Sequence, residues 1–146
     1  EPSTTFYAYV MNNYWETNYK AAQEGPTTFR FALRPHGGYD AAQAHRFGVA
    51  QSRPLLLFRA VKRGLARLSL GIAPEGVTPT VVKPSDDRAA TIVRLFNADE
   101  QAVTAQVEAS GTLRRSDLDE QPGEPLTAGA SLAMAPGEIV TLRIEK

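Results

Sequence analysis

The segment Thr-Ile-Val-Arg-Leu-Phe at residues 91–96 is short, rich in β-branched residues and apolar on both faces apart from one arginine. Such a run is typical of a strand that is covered on both sides. A turn signal follows at residues 97–100, and residues 102–108 then alternate between apolar and polar side chains, which indicates a half-buried strand. Residues 139–144 repeat that alternation near the end of the sequence. Short strands between turns, with no helical stretch among them, predict an all-β, antiparallel, immunoglobulin-like sandwich for residues 75–146.

Proline and glycine interrupt or end the less clearly predicted strands of this half. Pro79 lies within residues 77–82, so that strand is at a sheet edge or begins beyond the proline, which has no N–H to donate. Residues 113–118 are weakly strand-like, and residues 131–135 form a short run. Residues 121–125 hold two prolines and a glycine and are predicted to be a loop.

Arg94 interrupts the most apolar strand of the sequence. A guanidinium group cannot be buried without a partner, so it needs a carboxylate, a set of carbonyl groups or a route to solvent. We favour an internal pair or a side chain that extends to the surface. The alternative is an arginine that reaches a substrate or a neighbouring domain.

The first half of the chain differs in composition. Eleven of the twelve aromatic residues precede position 61, and the change indicates two parts, residues 1–74 and residues 75–146. Residues 27–34 alternate cleanly and predict a half-buried strand, and Asp40 can cap one short helix near residues 40–51. We expect residues 1–74 to be the end of a larger β-sandwich region.

Bulk properties exclude several classes of protein. Sixteen basic residues balance sixteen acidic ones, which argues against a nucleic-acid partner, and no apolar run is long enough to span a membrane. The absence of cysteine excludes disulfides and thiolate chemistry, and it leaves a soluble protein in either the cytoplasm or the periplasm. Because the sequence starts at Glu1 and soon enters a strand-like run, we expect a piece of a longer chain, and a mature product left after processing is the alternative.

An aperiodic stretch at residues 11–19 combines the only tryptophan with two tyrosines and three asparagines. Aromatic rings beside amide groups suit a sugar-facing surface, because rings pack on sugar C–H faces and amides pair with hydroxyls. The same residues could instead fasten a loop onto a core, which is the more common use. The candidate substrate-binding residues are Asn13, Trp15, Thr17 and Asn18.

Other constellations point to catalysis only weakly. His36, Asp40 and His45 lack the spacing of a zinc site, so we assign no metal ligand. The acidic run at residues 117–120 holds paired carboxylates, but its flanks predict a solvated charged turn. The sequence has neither a Gly-x-Ser-x-Gly elbow nor a glycine-rich phosphate loop, and we assign no catalytic residue.

A series of motifs in this chain resembles the C-terminal β-region of family 38 glycoside hydrolases, the α-mannosidases. The resemblance covers nearly the whole chain, and the motifs stand in the order of that family. They are NYWETNY (13–19), GPTTFRFAL (25–33), AHRFG (44–48), PL (54–55), VKPSDD (82–87), IVRLFN (92–97), DLDE (117–120) and PGEIVTL (136–142).

The resemblance implies a parent enzyme that is a retaining α-mannosidase with zinc, an Asp nucleophile and an acid/base carboxylate. In that family these groups belong to an N-terminal catalytic domain, and their motifs have no counterpart here. The resemblance therefore implies a non-catalytic module that buttresses the upstream catalytic domain of the same polypeptide. It would also border a cleft for a mannose-containing glycan, with residues 13–18 as rim candidates. Two alternatives stay open: an independent carbohydrate-binding module and a protein-interaction sandwich.

Overall fold

The computed structural model describes residues 3–12, 18, 20–53, 55–57, 69–127 and 129–145. The chain divides into two compact units, Glu1–Pro35 and His36–Lys146. The described residues of the first unit contain no helix or strand. The elements of the second unit are α1 (Ala41–Ser52), β1 (Leu70–Ala73), β2 (Val77–Pro84), β3 (Ala90–Asn97), β4 (Val103–Ala109), β5 (Thr112–Ser116), β6 (Pro122–Pro125), β7 (Ala130–Met134) and β8 (Ile139–Glu145).

The eight strands form two antiparallel sheets that pack face to face. One sheet has three strands in the order β1-β4-β7, and the other has five in the order β2-β3-β8-β5-β6. This arrangement confirms the predicted antiparallel sandwich with one short helix. Strand β1 pairs with β4 throughout its length, so the three-stranded sheet includes residues upstream of position 75. The predicted division at residues 74 and 75 stays a prediction.

The core lies between the sheets and is made by alternate residues of the central strands. In the five-stranded sheet Val93 faces Leu142 in register, and Leu95 faces Val140. Alternation places the next residues of these strands on the opposite face of the same sheet, here called the outer face. Each fully buried Leu or Val contributes about 1.5–3 kcal/mol by leaving water. The buried core residues are Val77, Val93, Leu95, Ala105, Val107, Leu113, Ala130, Leu132, Met134, Val140, Leu142 and Ile144.

Both edges of the five-stranded sheet carry prolines. Strand β2 is an edge strand, as Pro79 predicts, and its pairing with β3 is irregular between Pro79 and Val81. The prediction of a loop at residues 121–125 is wrong, because Pro122–Pro125 pairs with β5 at the other edge. A strand with one free side tolerates proline, since the missing N–H need not serve a ladder.

The clearest alternating segment forms no strand. Residues 27–34 pair with nothing in the described part of the chain, and Phe29, Phe31 and Leu33 are 42%, 63% and 88% exposed. The prediction of a half-buried strand here is therefore wrong for this structure. Alternation supplies an apolar face, but a strand also needs a partner edge and a surface that covers that face.

A buried amide joins the two sheets at one end of the sandwich. Asn97 is fully buried, and its Nδ2 donates to the carbonyl oxygens of Gln101 at 3.0 Å and Ala135 at 2.9 Å. Its Oδ1 accepts from the backbone N–H of Asp99 at 3.0 Å. Asn97 is the last residue of β3 in one sheet, and Ala135 directly follows β7 in the other sheet. The Asn97 side chain therefore holds the ends of these two strands together.

We predict that Asn97→Ala lowers the free energy of unfolding by about 3 kcal/mol, because two carbonyls and one N–H lose their buried partner. Urea denaturation of the chain and the variant measures this loss. Asn18→Ala, at an exposed site, is the matched control and should change stability by less than about 0.5 kcal/mol. A loss for Asn97→Ala no larger than that of the control would contradict this role.

Candidate functional site

The candidate site lies on the outer face of the five-stranded sheet, where three neighbouring strands place polar side chains in one row. Arg94 on β3 is opposite Thr141 on β8, and Thr141 is opposite Ser116 on β5. Because paired residues of adjacent strands share a face, these three residues lie side by side. They form the floor of a cleft of about 410 Å³.

Two loops that leave the sheet make the walls of this cleft. One wall is Asp117 and Leu118, directly after β5, and the other is Glu138 and Ile139, at the start of β8. Leu118 is 73% exposed and Ile139 is 57% exposed, so each wall carries a large aliphatic group in contact with water. The full lining is Arg94, Arg115, Ser116, Asp117, Leu118, Glu138, Ile139, Val140 and Thr141.

Arg94 has a weak partner within the sandwich. Its Nε donates to the hydroxyl of Thr141 at 3.3 Å, and no carboxylate in the described part of the chain forms an ion pair with it. The two wall carboxylates bind backbone instead. Asp117 accepts from the N–H of Gln121 at 2.8 Å, and Glu138 accepts from the N–H of Ala135 at 2.7 Å. The half-buried guanidinium therefore keeps donors for a group outside the sandwich.

Helix α1 packs beside the same sheet. Asp40 caps it by accepting from the N–H of Gln43 at 2.8 Å, as the sequence predicts. The imidazole of His45 lies 5.1 Å from the ring of Phe96, and Arg53 donates to the carbonyl oxygen of Thr80 at 2.8 Å. The helix is thus fixed to β2 and β3.

A second group of charged residues on the outer face is paired throughout. Arg143 is 6% exposed and binds Asp87 at 2.6 Å and Glu145 at 3.1 Å. Arg114 also binds Glu145, at 3.0 Å. These contacts connect β5, β8 and the turn between β2 and β3, so we interpret the group as a structural clamp.

Glu120 extends this clamp, and the prediction of a solvated turn at residues 117–120 is wrong for this residue. Glu120 is 7% exposed, and its carboxylate binds Lys83 at 2.5 Å and the N–H of Asp86 at 2.7 Å. The run at residues 117–120 holds three carboxylates, and its sequence does not show which of them is buried. Glu120 is identified only by its partner Lys83, which is distant in the sequence. Asp119 is exposed, as predicted.

The electrostatics of the clamp favour ionised side chains. Hydrogen bonds from Ser85, from the Ala89 N–H and from Arg143 hold the pKa of Asp87 well below its usual range. Hydrogen bonds from Arg114 and Arg143 lower the pKa of Glu145, and hydrogen bonds to Glu120 and Asp86 raise the pKa of Lys83. Carboxylates held in the ionised form are unsuited to donate a proton as a general acid.

The structure gives separate places to the other residues that the sequence singles out. Asn18 is exposed, whereas Asn13, Trp15 and Thr17 lie outside the described residues. His36 contacts the carbonyl of Gly37, while Asp40 and His45 have the roles given above. The described ranges contain no cluster of three His, Asp or Glu side chains that could hold a metal ion.

The fold and the site define a two-sheet β-sandwich module in which the carboxylates of the cleft and of the clamp bind backbone N–H groups or cations. Residues 76–142, just under half of the 146-residue chain, match the family model described as the glycosyl hydrolases family 38 C-terminal beta sandwich domain. These residues are therefore similar to the C-terminal beta sandwich domain of family 38 glycosyl hydrolases. No curated protein matches the chain, and no solved structure matches it either. None of the helices in the described ranges has the length and apolar character to cross a bilayer.

We predict that the clamp makes stability fall in acid. Asp87 and Glu145 have a lower pKa folded than unfolded, so they stabilise the fold fully above the unfolded value near pH 4. That contribution is lost as pH falls through the folded values. Urea denaturation between about pH 5 and about pH 2 measures the slope.

Asp87→Asn should flatten this acid slope, because the substituted side chain no longer takes up a proton on unfolding. Asp119→Asn is the matched control in an exposed turn and should keep the slope of the unaltered chain. Equal slopes for Asp87→Asn and Asp119→Asn would refute the assignment of the clamp.

Proposed function

We propose that this chain is the non-catalytic C-terminal β-region of a retaining α-mannosidase, in which the sandwich buttresses an upstream catalytic domain. The observation that carries the proposal is the match of residues 76–142 to the C-terminal beta sandwich domain of family 38. Such a domain implies a catalytic domain in the same polypeptide. The motifs at residues 13–48, which lie outside the match, support the same family.

The chemistry of the described residues supports a non-catalytic role. The cleft carboxylates accept backbone N–H groups, and those of the clamp are bound to cations. The described residues also offer no set of ligands for zinc. We propose that the zinc and the catalytic carboxylates of the parent enzyme belong to its upstream catalytic domain, as the family resemblance implies.

Exposed apolar side chains in the first part of the chain favour contact with another part of the parent enzyme. Phe29, Phe31 and Leu33 lie in water although their alternation suits a strand. A monomeric protein rarely leaves so regular an apolar row uncovered. We propose that residues 1–74 complete a larger β-sandwich region of the parent enzyme, which would cover that row.

We predict that the complete polypeptide hydrolyses an aryl α-mannoside with retention of configuration, that removal of zinc abolishes this activity, and that the 146-residue chain alone is inactive. Proton NMR of the first-formed sugar measures the configuration. A complete polypeptide without α-mannosidase activity, or an active isolated chain, would overturn the proposal.

We predict that Leu142→Ala in the complete polypeptide lowers the temperature of inactivation while KM at 25 °C is unchanged. Leu142 is fully buried between the sheets, and its truncation costs about 3 kcal/mol of sandwich stability. Residual activity after heating measures the effect, with Val82→Ala at the half-exposed sheet edge as control. A variant that inactivates at the same temperature as the control would show that the sandwich does not support the catalytic domain.

For the glycan cleft we propose Asn13, Trp15, Thr17 and Asn18 as rim residues. Trp15→Ala should raise KM for a mannoside about tenfold, since a lost ring–sugar contact is worth about 1–2 kcal/mol. Tyr39→Ala, which removes another exposed ring, is the control and should leave KM unchanged. Equal KM values for both variants would remove Trp15 from the rim.

A further inference from the structure

The outer face of the five-stranded sheet carries four cations, and one of them differs from the rest. Lys83, Arg114 and Arg143 each bind a carboxylate within 3.1 Å. Arg94, in the middle of the same face, has only the 3.3 Å bond from its Nε to Thr141. Of the five N–H donors of a guanidinium, the four on the terminal nitrogens have no partner among the described residues.

Among the described residues, the carboxylates in the walls of the cleft form no ion pair with these donors. Asp117 and Glu138 each close a turn by accepting a backbone N–H, at 2.8 Å and 2.7 Å. A half-buried guanidinium without a counter-charge is costly, and a carboxylate that binds it through two parallel hydrogen bonds removes that cost.

The walls also restrict what the ligand can be. Leu118 and Ile139 stand exposed on either side of Arg94, and an arginine framed by aliphatic groups is typical of the centre of a protein interface. A small hydrophilic anion would leave both aliphatic groups in water. A dianionic phosphate would be repelled by the two wall carboxylates more strongly than a single carboxylate would.

We propose that this cleft is the docking site for an Asp or Glu side chain on an apolar segment of the catalytic part of the same polypeptide. The carboxylate pairs with the terminal nitrogens of Arg94, and apolar neighbours in that segment cover Leu118 and Ile139. The inference rests on the proposed function, because it names the surface through which the sandwich buttresses its neighbour.

The test compares Arg94→Met in two settings, the complete polypeptide and the 146-residue chain. Methionine keeps much of the side-chain volume and removes the charge. In the complete polypeptide the substitution should lower the midpoint of thermal unfolding by about 4 °C, because a docked carboxylate loses its partner. In the 146-residue chain the midpoint should stay the same or rise, because none of the carboxylates in the described ranges is paired with Arg94.

Arg88→Met is the matched control, since Arg88 lies exposed in the turn between β2 and β3. It should change neither midpoint. A second readout is amide hydrogen exchange at residues 115–118 and 138–141. These amides should exchange at least tenfold more slowly in the complete polypeptide than in the 146-residue chain.

Two results would overturn the inference. One is an equal fall of both midpoints with Arg94→Met, which would make Arg94 a purely internal support. The other is equal exchange at residues 115–118 and 138–141 in the two settings, which would leave the cleft uncovered. Neither result depends on enzyme activity. A polypeptide without α-mannosidase activity would overturn the proposed function while the melting and exchange data still decide the docking.

Discussion

The buried amide of Asn97 is the constraint on which the rest of the sandwich depends. Its side chain is bonded to the exit of β3 and to the exit of β7, so the two sheets end together. Its backbone adds two bonds, from its N–H to the carbonyl of Glu138 at 2.9 Å and from the Gly137 N–H to its carbonyl at 3.1 Å. The turn that leads into β8 is therefore positioned by one residue. Because that turn carries Glu138 and Ile139, the same residue also sets one wall of the cleft.

The other end of the sandwich is fixed by charge. Arg143 binds Asp87 in the turn between β2 and β3, and Lys83 binds Glu120 in the turn between β5 and β6. Both turns are thereby held against the outer face. One member of each pair, Arg143 or Glu120, is largely withdrawn from water, so that buried charge needs its partner. Arg94 lies between the two fixed ends and takes part in neither network. Arg94 has no ion pair among the described residues, whereas the other cations of the outer face are all paired. This difference makes the cleft around Arg94 a candidate site.

Local pattern predicts the strands well where the two sheets cover each other. The alternation of residues 102–108 and 139–144 and the apolar run at 91–96 correspond to β4, β8 and β3, because burial on one or both faces imposes those patterns. The same reasoning fails at residues 27–34, where the apolar face is present but no partner strand lies among the residues that the structure describes. Pattern also fails at β6, where two prolines and a glycine predict a loop. Pro122–Pro125 is nevertheless an edge strand, and an edge strand tolerates the N–H that proline lacks.

The parts of the site that the sequence does not predict depend on contacts between residues that are far apart in the sequence. Glu120 is buried because Lys83 and the Asp86 N–H lie opposite it, and nothing in its own neighbourhood signals this. The sequence does show that Arg94 needs a partner, and it leaves open whether that partner is internal. The bonds of Asn97 likewise join residues up to 38 positions apart, so the segment around it indicates only a turn.

Native-state hydrogen exchange of the unaltered 146-residue chain tests the central claim most directly. If Asn97 holds the ends of both sheets together, the amides of Asn97 and Gly137 should open only when the whole sandwich unfolds. Their opening free energy would then equal that of the central β3 and β8 amides and shift with urea at the same slope. Exchange of Gly137 through a local opening that urea does not affect, while the centre of β3 stays protected, would contradict the account.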